Sequence, residues 1–194
     1  MKWSNQSLLA VVSVVALLQG CAPTPQTVHL APHAEDRQSS VGQGKVVGLA
    51  VSDIRPEKKV GMVGDPNAKL VAISAEDEST QGIYNAATEA LRRLGFTVRQ
   101  ASAETDPSLR IELRELSYQS LKTPFTFETK GKVTLTALAQ NGTAIYQRTY
   151  KANRSNNSGT PPTARETEKA INELVSMALE DLVSDEQLVE LLAR

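Results

Sequence analysis

The chain has 194 residues, with 21 Lys+Arg against 22 Asp+Glu, two His and one Cys. That length suits one ordinary domain with an appendage. Near-neutral charge excludes nucleic-acid binding by bulk electrostatics, and a lone Cys excludes an internal disulfide framework or a thiolate-rich zinc site.

Residues 1–20, MKWSNQSLLAVVSVVALLQG, join a basic start at Lys2 to an apolar run from Leu8 to Leu18 and end on the small residue Gly20. The run is too short to cross a ~30 Å hydrocarbon core as a helix, and its layout is that of a secretory signal. The only cysteine follows at once. The string Leu18-Gln19-Gly20-Cys21 resembles a bacterial lipobox, with Gln19 in place of the usual small residue. The resemblance implies cleavage between Gly20 and Cys21 and a diacylglyceryl group on the Cys21 sulfur. Two or three acyl chains on one Cys anchor stably, where a single chain binds only marginally. Ala22, where Asp would signal retention in the inner membrane, implies an outer-membrane address with the domain facing the periplasm. The competing readings are a structural Cys in a core helix, and plain secretion with cleavage elsewhere. Cleavage before Cys21 leaves 174 residues, removes Lys2 and the only tryptophan, Trp3, and takes the net charge to −2.

Residues 21–44 carry Pro23, Pro25, Pro32, Ser39, Ser40, Gly42 and Gly44, the composition of an extended tether. A flexible chain of that length reaches about 25–30 Å. Val28 and Leu30 alternate with polar neighbours, which also admits a short edge strand. The packed domain is expected over 45–194. It opens with KVVGLAVS at 45–52, an apolar β-branched strand stopped by Pro56. Residues 57–68 hold Gly61, Gly64, Pro66 and Asn67 and read as a loop. KLVAI at 69–73 is a second strand. Ser74 and Asp77 form a capping-box pattern, after which Ile83, Ala87, Ala90, Leu91 and Leu94 share one helical face, with Gly95 as C-cap.

Phe96 to Gln100 is a short strand, and Asp106-Pro107 a turn. Leu109, Ile111 and Leu113 alternate, then Leu116 and Tyr118 continue on the other parity, which predicts a bulge near Arg114–Glu115. A long half-solvated strand runs from Phe125 to Ala139. Asn141-Gly142 predicts a type I′ hairpin that pairs Ala139 with Ala144 and Val133 with Tyr150. Asn153 to Pro162 reads as a loop. Thr163 and Glu166 make another capping box for a helix burying Ile171, Leu174, Val175, Ala178, Leu182 and Val183. Ser184 and Gln187 suggest a cap for a last short helix with Leu188, Leu191 and Leu192. The order β-β-α-β-β-β-β-α-α specifies an α+β fold, a mixed and mainly antiparallel sheet with helices packed on one face.

Candidate chemistry is sparse. Both histidines, His29 and His33, precede the domain, where they could at most chelate metal weakly. Residues 45–194 therefore offer no Ser-His-Asp, Cys-His or His-based metal arrangement, and there is no P-loop or Gly-x-Gly-x-x-Gly turn. No catalytic residue, metal or cofactor is assigned. Asp53-x-Arg55-Pro56, at the exit of the first domain strand, has two readings. Arg55 and Asp53 can line a binding edge that grips an anion, or Asp53 can accept local N–H groups with Arg55 as its ion-pair partner. Tyr146 and Tyr150 share a face, either to stack on a sugar or to pack in the core. The 153–157 stretch is either a recognition tip or a solvated loop. The apolar tail at 188–192 is the segment expected to be partly exposed in an oligomer.

The lipobox at Cys21, the apolar strand into Asp53-x-Arg55 and the helix ending Arg92-Arg93-Leu94-Gly95-Phe96-Thr97-Val98 resemble the YajG family of bacterial lipoproteins. Leu138-Ala139-Gln140-Asn141-Gly142 and the long C-terminal helix with its short tail extend that likeness over nearly the whole mature chain. More distantly, the strand-helix order is similar to the TolB amino-terminal fold. The family carries over no catalytic residues. The lipobox, the tether and the catalytically poor domain together read as an outer-membrane-anchored periplasmic module that binds or scaffolds, with the membrane as one partner, an envelope protein or peptidoglycan as another and, from the near-neutral charge, no nucleic acid. The alternatives are a subunit of an oligomeric envelope or secretion assembly, and a cell-wall-directed enzyme using Asp or Glu.

Overall fold

The computed structural model describes residues 25–34, 38–76, 79–102 and 105–194. Gly20, Cys21 and the expected cap residue Asp77 lie outside them. The sheet is organised by one long strand, β6 (Ser108–Lys122), whose apolar residues alternate along the chain. On one side β6 pairs antiparallel along its whole length with β7 (Phe127–Asn141), which pairs in turn with β8 (Ala144–Ser158). On the other side its first half takes β2 (Val46–Asp53) and its second half takes β3 (Lys59–Asp65), both parallel. Beyond β2 lies β5 (Thr97–Gln100); beyond β3 lie β4 (Lys69–Ala75) and then β1 (Gln26–Val28). The expected bulge is present: the register shifts between Leu113 and Glu115. It lets Leu113 and Leu116 both reach the core, where each is buried.

Three helices occur among the described residues. Helix α1 (Ser79–Arg93) packs on β2 and β5, and α2 (Ala164–Val183) and α3 (Glu186–Ala193) pack on β7 and β8. The fold is therefore α+β, as the sequence pattern indicated. The apolar positions read for α1 and α2 are all buried. The α1 terminus is a Schellman turn, with the Gly95 N–H on the Arg92 carbonyl and the Phe96 N–H on that of Leu91 (2.9 and 3.0 Å), and Gly95 at φ +88°. The Thr163–Glu166 capping box is complete.

Several boundaries differ from the sequence reading. Residues 59–65 form a strand, not a loop, because Val60 and Val63 are buried and Asp65-Pro66-Asn67-Ala68 supplies a tight hairpin turn to β4. Strand β4 runs on through Ser74, which pairs with Lys59 and so caps no helix. The β7–β8 hairpin closes one step later than expected. Asn141 pairs with Ala144, and Gly142 occupies the first loop position at φ +60°, with Thr143 outside the left-handed region, as in a type II′ turn. Ala139 thus faces Tyr146, and Leu135 faces Tyr150. The shift conserves parity, so the apolar face survives. Residues 153–158 extend β8, because β7 continues as far as Phe127 and supplies them with a partner. The cap of α3 is Asp185, not Ser184, which closes α2 instead. Leu188, Leu191 and Leu192 are buried, so the tail is core, not an exposed patch.

The largest correction concerns 21–44. Residues 26–34 are part of the core. Val28 and Leu30 are each 1% exposed. The backbone of 29–33 lies along α2: His29 N–H donates to the Glu168 carboxylate (3.1 Å), Ala31 N–H to Asn172 Oδ1 (2.8 Å) and His33 N–H to Ser176 Oγ (3.0 Å). On the other side is α1, where Gly82 faces the Leu30 carbonyl. A Cβ at that position would stand 1.7 Å from the oxygen, so the close approach requires glycine. Ser39, Gly42 and Gly44 then donate to the carbonyls of Arg93, Leu94 and Gly95, closing the end of α1. The composition is that of a tether, but two apolar residues at the right spacing seat the segment. Leu30→Ala is expected to lower the unfolding free energy by about 2–5 kcal/mol. A urea midpoint equal to that of the parent protein would return the segment to the tether.

Candidate functional site

Asp53 and Arg55 meet at the end of β2, but they face each other. Arg55 Nε donates to Asp53 Oδ1 (2.9 Å) and Nη2 to Oδ2 (2.8 Å), a bidentate pair whose side chains are both 3% exposed. Arg55 N–H adds a bond to Oδ1 (3.1 Å), and Lys58 Nζ approaches Oδ2 (3.0 Å). Burial alone would raise the Asp53 pKa. The bonds from Arg55 and Lys58 outweigh it and hold the carboxyl well below its ordinary value. The guanidinium is thus committed to an internal partner, although its Nη1 is buried without a hydrogen bond.

A second buried carboxylate has no signal in the sequence. Asp185 stands at the elbow between α2 and α3. Its Oδ2 accepts from Tyr150 Oη (2.6 Å), Tyr146 Oη (2.8 Å) and Arg148 Nη1 (3.0 Å). Its Oδ1 accepts from the Gln187 N–H (3.1 Å) and so caps α3. The Arg148 guanidinium also lies 5.8 Å from the centre of the Tyr150 ring. Burial works against the charge, yet these donors keep Asp185 below its usual range. Burial, with the adjacent carboxylate, pushes the Tyr150 hydroxyl far up. The two tyrosines therefore tie β8 to the elbow. The alternation of Tyr146, Arg148 and Tyr150 marks one half of this cluster; the partner lies 35 residues on from Tyr150 and has no local signature.

The same alternation runs on along β8 to Arg154, Asn156 and Ser158. Beyond Ala152 this face becomes exposed, and a cleft of about 290 Å³ opens between β7, β8 and the first half of α2. That is just below the range of small-ligand sites, about 300 to 1,000 Å³. Tyr118 and Leu174 form its apolar floor, while Arg154, Asn156, Lys169 and Glu173 stand on its walls. Arg154 pairs with Glu173 Oε2, and Lys169 reaches Glu173 Oε1 at 3.8 Å, so two cations share one carboxylate. Glu166, also on the wall, caps α2 and is held below its ordinary pKa by the Thr163 N–H and hydroxyl. Of the 153–157 stretch, the residues on this cleft are Arg154 and Asn156. His29 lies outside it, with Nδ1 on Glu76 (2.7 Å). Among the described residues no group of three His, Cys, Asp or Glu could hold a metal ion.

A family model described as "Uncharacterized lipoprotein" matches residues 32–193. The chain belongs to this YajG-like lipoprotein family. No helix among the described residues is long and apolar enough to cross a membrane. No curated protein matches the sequence. Among solved structures, this lipoprotein is similar to protein XCC0632 from Xanthomonas campestris, of family DUF330, at 12% identity and TM-score 0.54 over 87% of this chain and 96% of that one. It is also similar to a putative neuraminyllactose-binding hemagglutinin homolog from Helicobacter pylori, at 10% identity and TM-score 0.53 over 86% and 97% of the two chains. At such identities the likeness is one of fold.

Asp53 and Asp185 both have depressed pKa values in the fold. Their stabilisation is complete above an unfolded carboxyl value of about 4 and is lost as pH falls toward the folded values. Unfolding should therefore set in below about pH 4. Asp185→Ala, which orphans two tyrosine hydroxyls and removes a cap, is expected to cost about 2–4 kcal/mol at pH 7. It should also flatten the acid limb of the stability–pH curve. An unchanged acid limb counts against the role given to Asp185.

Proposed function

We propose that this lipoprotein is held in the outer membrane through acylated Cys21 and faces the periplasm as a non-catalytic binding module. Its ligand site is the cleft between β8 and α2. The single observation that carries the reading is the composition of that cleft. An aromatic floor, two cations sharing one carboxylate, and amide and hydroxyl groups at Asn156 and Ser158 suit a polar, carboxylate-bearing component of the envelope. A carboxylate from the ligand would take one cation from Glu173. The similarly folded Helicobacter protein, whose name states neuraminyllactose binding, is in keeping with an acidic glycan as the class.

A carboxylate enzyme is the weaker reading. A general acid needs a raised pKa near the operating pH. Asp53, Asp185 and Glu166 are all shifted the other way, by internal partners.

Two measurements in one strain test the proposal. Cys21→Ala should move the protein from the outer-membrane fraction to the soluble periplasm. In the lipidated protein, a photocrosslinker at Asn156 should give a discrete envelope adduct that Arg154→Ala with Lys169→Ala reduces at least fivefold. Retention of the Cys21 variant in the outer-membrane fraction contradicts the anchor, and an adduct indifferent to both cations contradicts the site.

A further inference from the structure

The anchor's position, taken with the seating of 26–34, restricts how the domain stands on a membrane. Five residue steps separate Cys21 from Gln26, at most about 18 Å whatever path they follow. Strand β1 runs parallel to β4, with Gln26 opposite Ile73 and Val28 opposite Ala75. Going back from Gln26 therefore leads toward Leu70 and Lys69, the start of β4, about 10 Å away. The contacts along α2 give the same direction. From His29 to His33 the partners advance from Glu168 to Ser176, so earlier residues lead toward Thr163 at the start of α2. That start follows the end of β8, where Ser158 lies opposite Phe127.

All of these chain ends lie at one end of the molecule. The β3–β4 turn and the β6–β7 turn are neighbours there, joined by Lys122 Nζ to Asp65 Oδ2 at 3.0 Å. The β6–β7 turn is closed by its own bonds: Thr123 N–H and Oγ1 both donate to the Thr126 carbonyl (2.7 and 2.9 Å), and Thr126 N–H donates to Thr123 Oγ1 (3.1 Å). This fixed tip carries Phe125, 94% exposed, the barest large apolar side chain among the described residues. Leu70, 42% exposed, stands on the adjacent hairpin. Lys69 and Lys122 are exposed beside them, against one paired Asp65. Apolar tips flanked by two exposed lysines suit the boundary between acyl chains and phosphates.

We propose that this end is the membrane-facing end of the lipoprotein: Phe125 and Leu70 enter the interface of the bilayer that carries the acylated Cys21, with Lys69 and Lys122 at its phosphates. The orientation rests on the acylation of Cys21 proposed above. It adds a second contact to the lipid anchor and holds the domain upright, with the Gly142–Thr143 turn at the far end of β7, about 45 Å away.

The mature chain has no tryptophan, so a single one reports on its own position. Phe125→Trp and, as the reference, Thr143→Trp would be purified as full mature lipoproteins. Mass spectrometry would establish the acylated Cys21. Each would then be placed in phosphatidylethanolamine–phosphatidylglycerol vesicles with brominated acyl chains. The Phe125→Trp protein should emit at shorter wavelength and lose at least half its intensity to the bromines, and the Thr143→Trp protein should be unaffected. Leu70→Trp should behave as Phe125→Trp does. An acylated protein in which positions 125 and 143 are quenched alike overturns this orientation alone. A mature protein without acyl mass on Cys21 overturns the anchor, and the orientation with it.

Discussion

The insertion of Leu30 between α1 and α2 is the contact on which the arrangement depends. The segment that carries it has the proline and serine content of a linker, yet its backbone is hydrogen-bonded to three side chains of α2 and fits against a glycine on α1. Without it, the two helices would leave an apolar groove on the surface. With it, the core closes, and the packed chain begins at Gln26, five residue steps after Cys21.

The polar groups divide into those buried within the fold and those that line the open cleft. Asp53 with Arg55, and Asp185 with its two tyrosines, are buried carboxylates held by internal donors, so their charges act on stability and its pH dependence. Arg154, Lys169 and Glu173 are matched two to one at the mouth of a cleft. The division follows the face of β8 as it passes from beneath α2 and α3 into the open. Tyr150 and Ala152 are buried there, while Arg154 is exposed.

Much of this fold is legible in the sequence, for physical reasons that also explain the rest. The helical stripe of 171–183, the capping box at Thr163, the glycine at the end of α1 and the parity change at Arg114 are local patterns, each tied to one element's own geometry. Strand β3 is obscured because glycine, proline and asparagine mark its turn and two of its own positions, while its partners β4 and β6 are supplied by other parts of the chain. The polar stretch of β8 is obscured for the same reason: Asn153 to Ser158 have no apolar alternation, and their strand is imposed by β7. The hairpin register differs by one step because Gly142, rather than Asn141, takes the first loop position. Of the candidate site, Asp53 and Arg55 are legible as a pair, and of their two readings the structure takes the ion pair closed on itself. The cleft joins residues of β6, β7, β8 and α2 that no spacing rule connects.

The claim that residues 29–34 belong to the folded core is open to a direct measurement. Hydrogen exchange of the Ala31 and His33 amides in the mature protein reads their bonds to Asn172 and Ser176 without altering any side chain. Both amides should exchange orders of magnitude more slowly than an unstructured chain of the same sequence, and slow further as the core strands do when the protein is stabilised. Exchange at the unstructured rate, with β6 and β7 protected, would show that the segment is a tether after all.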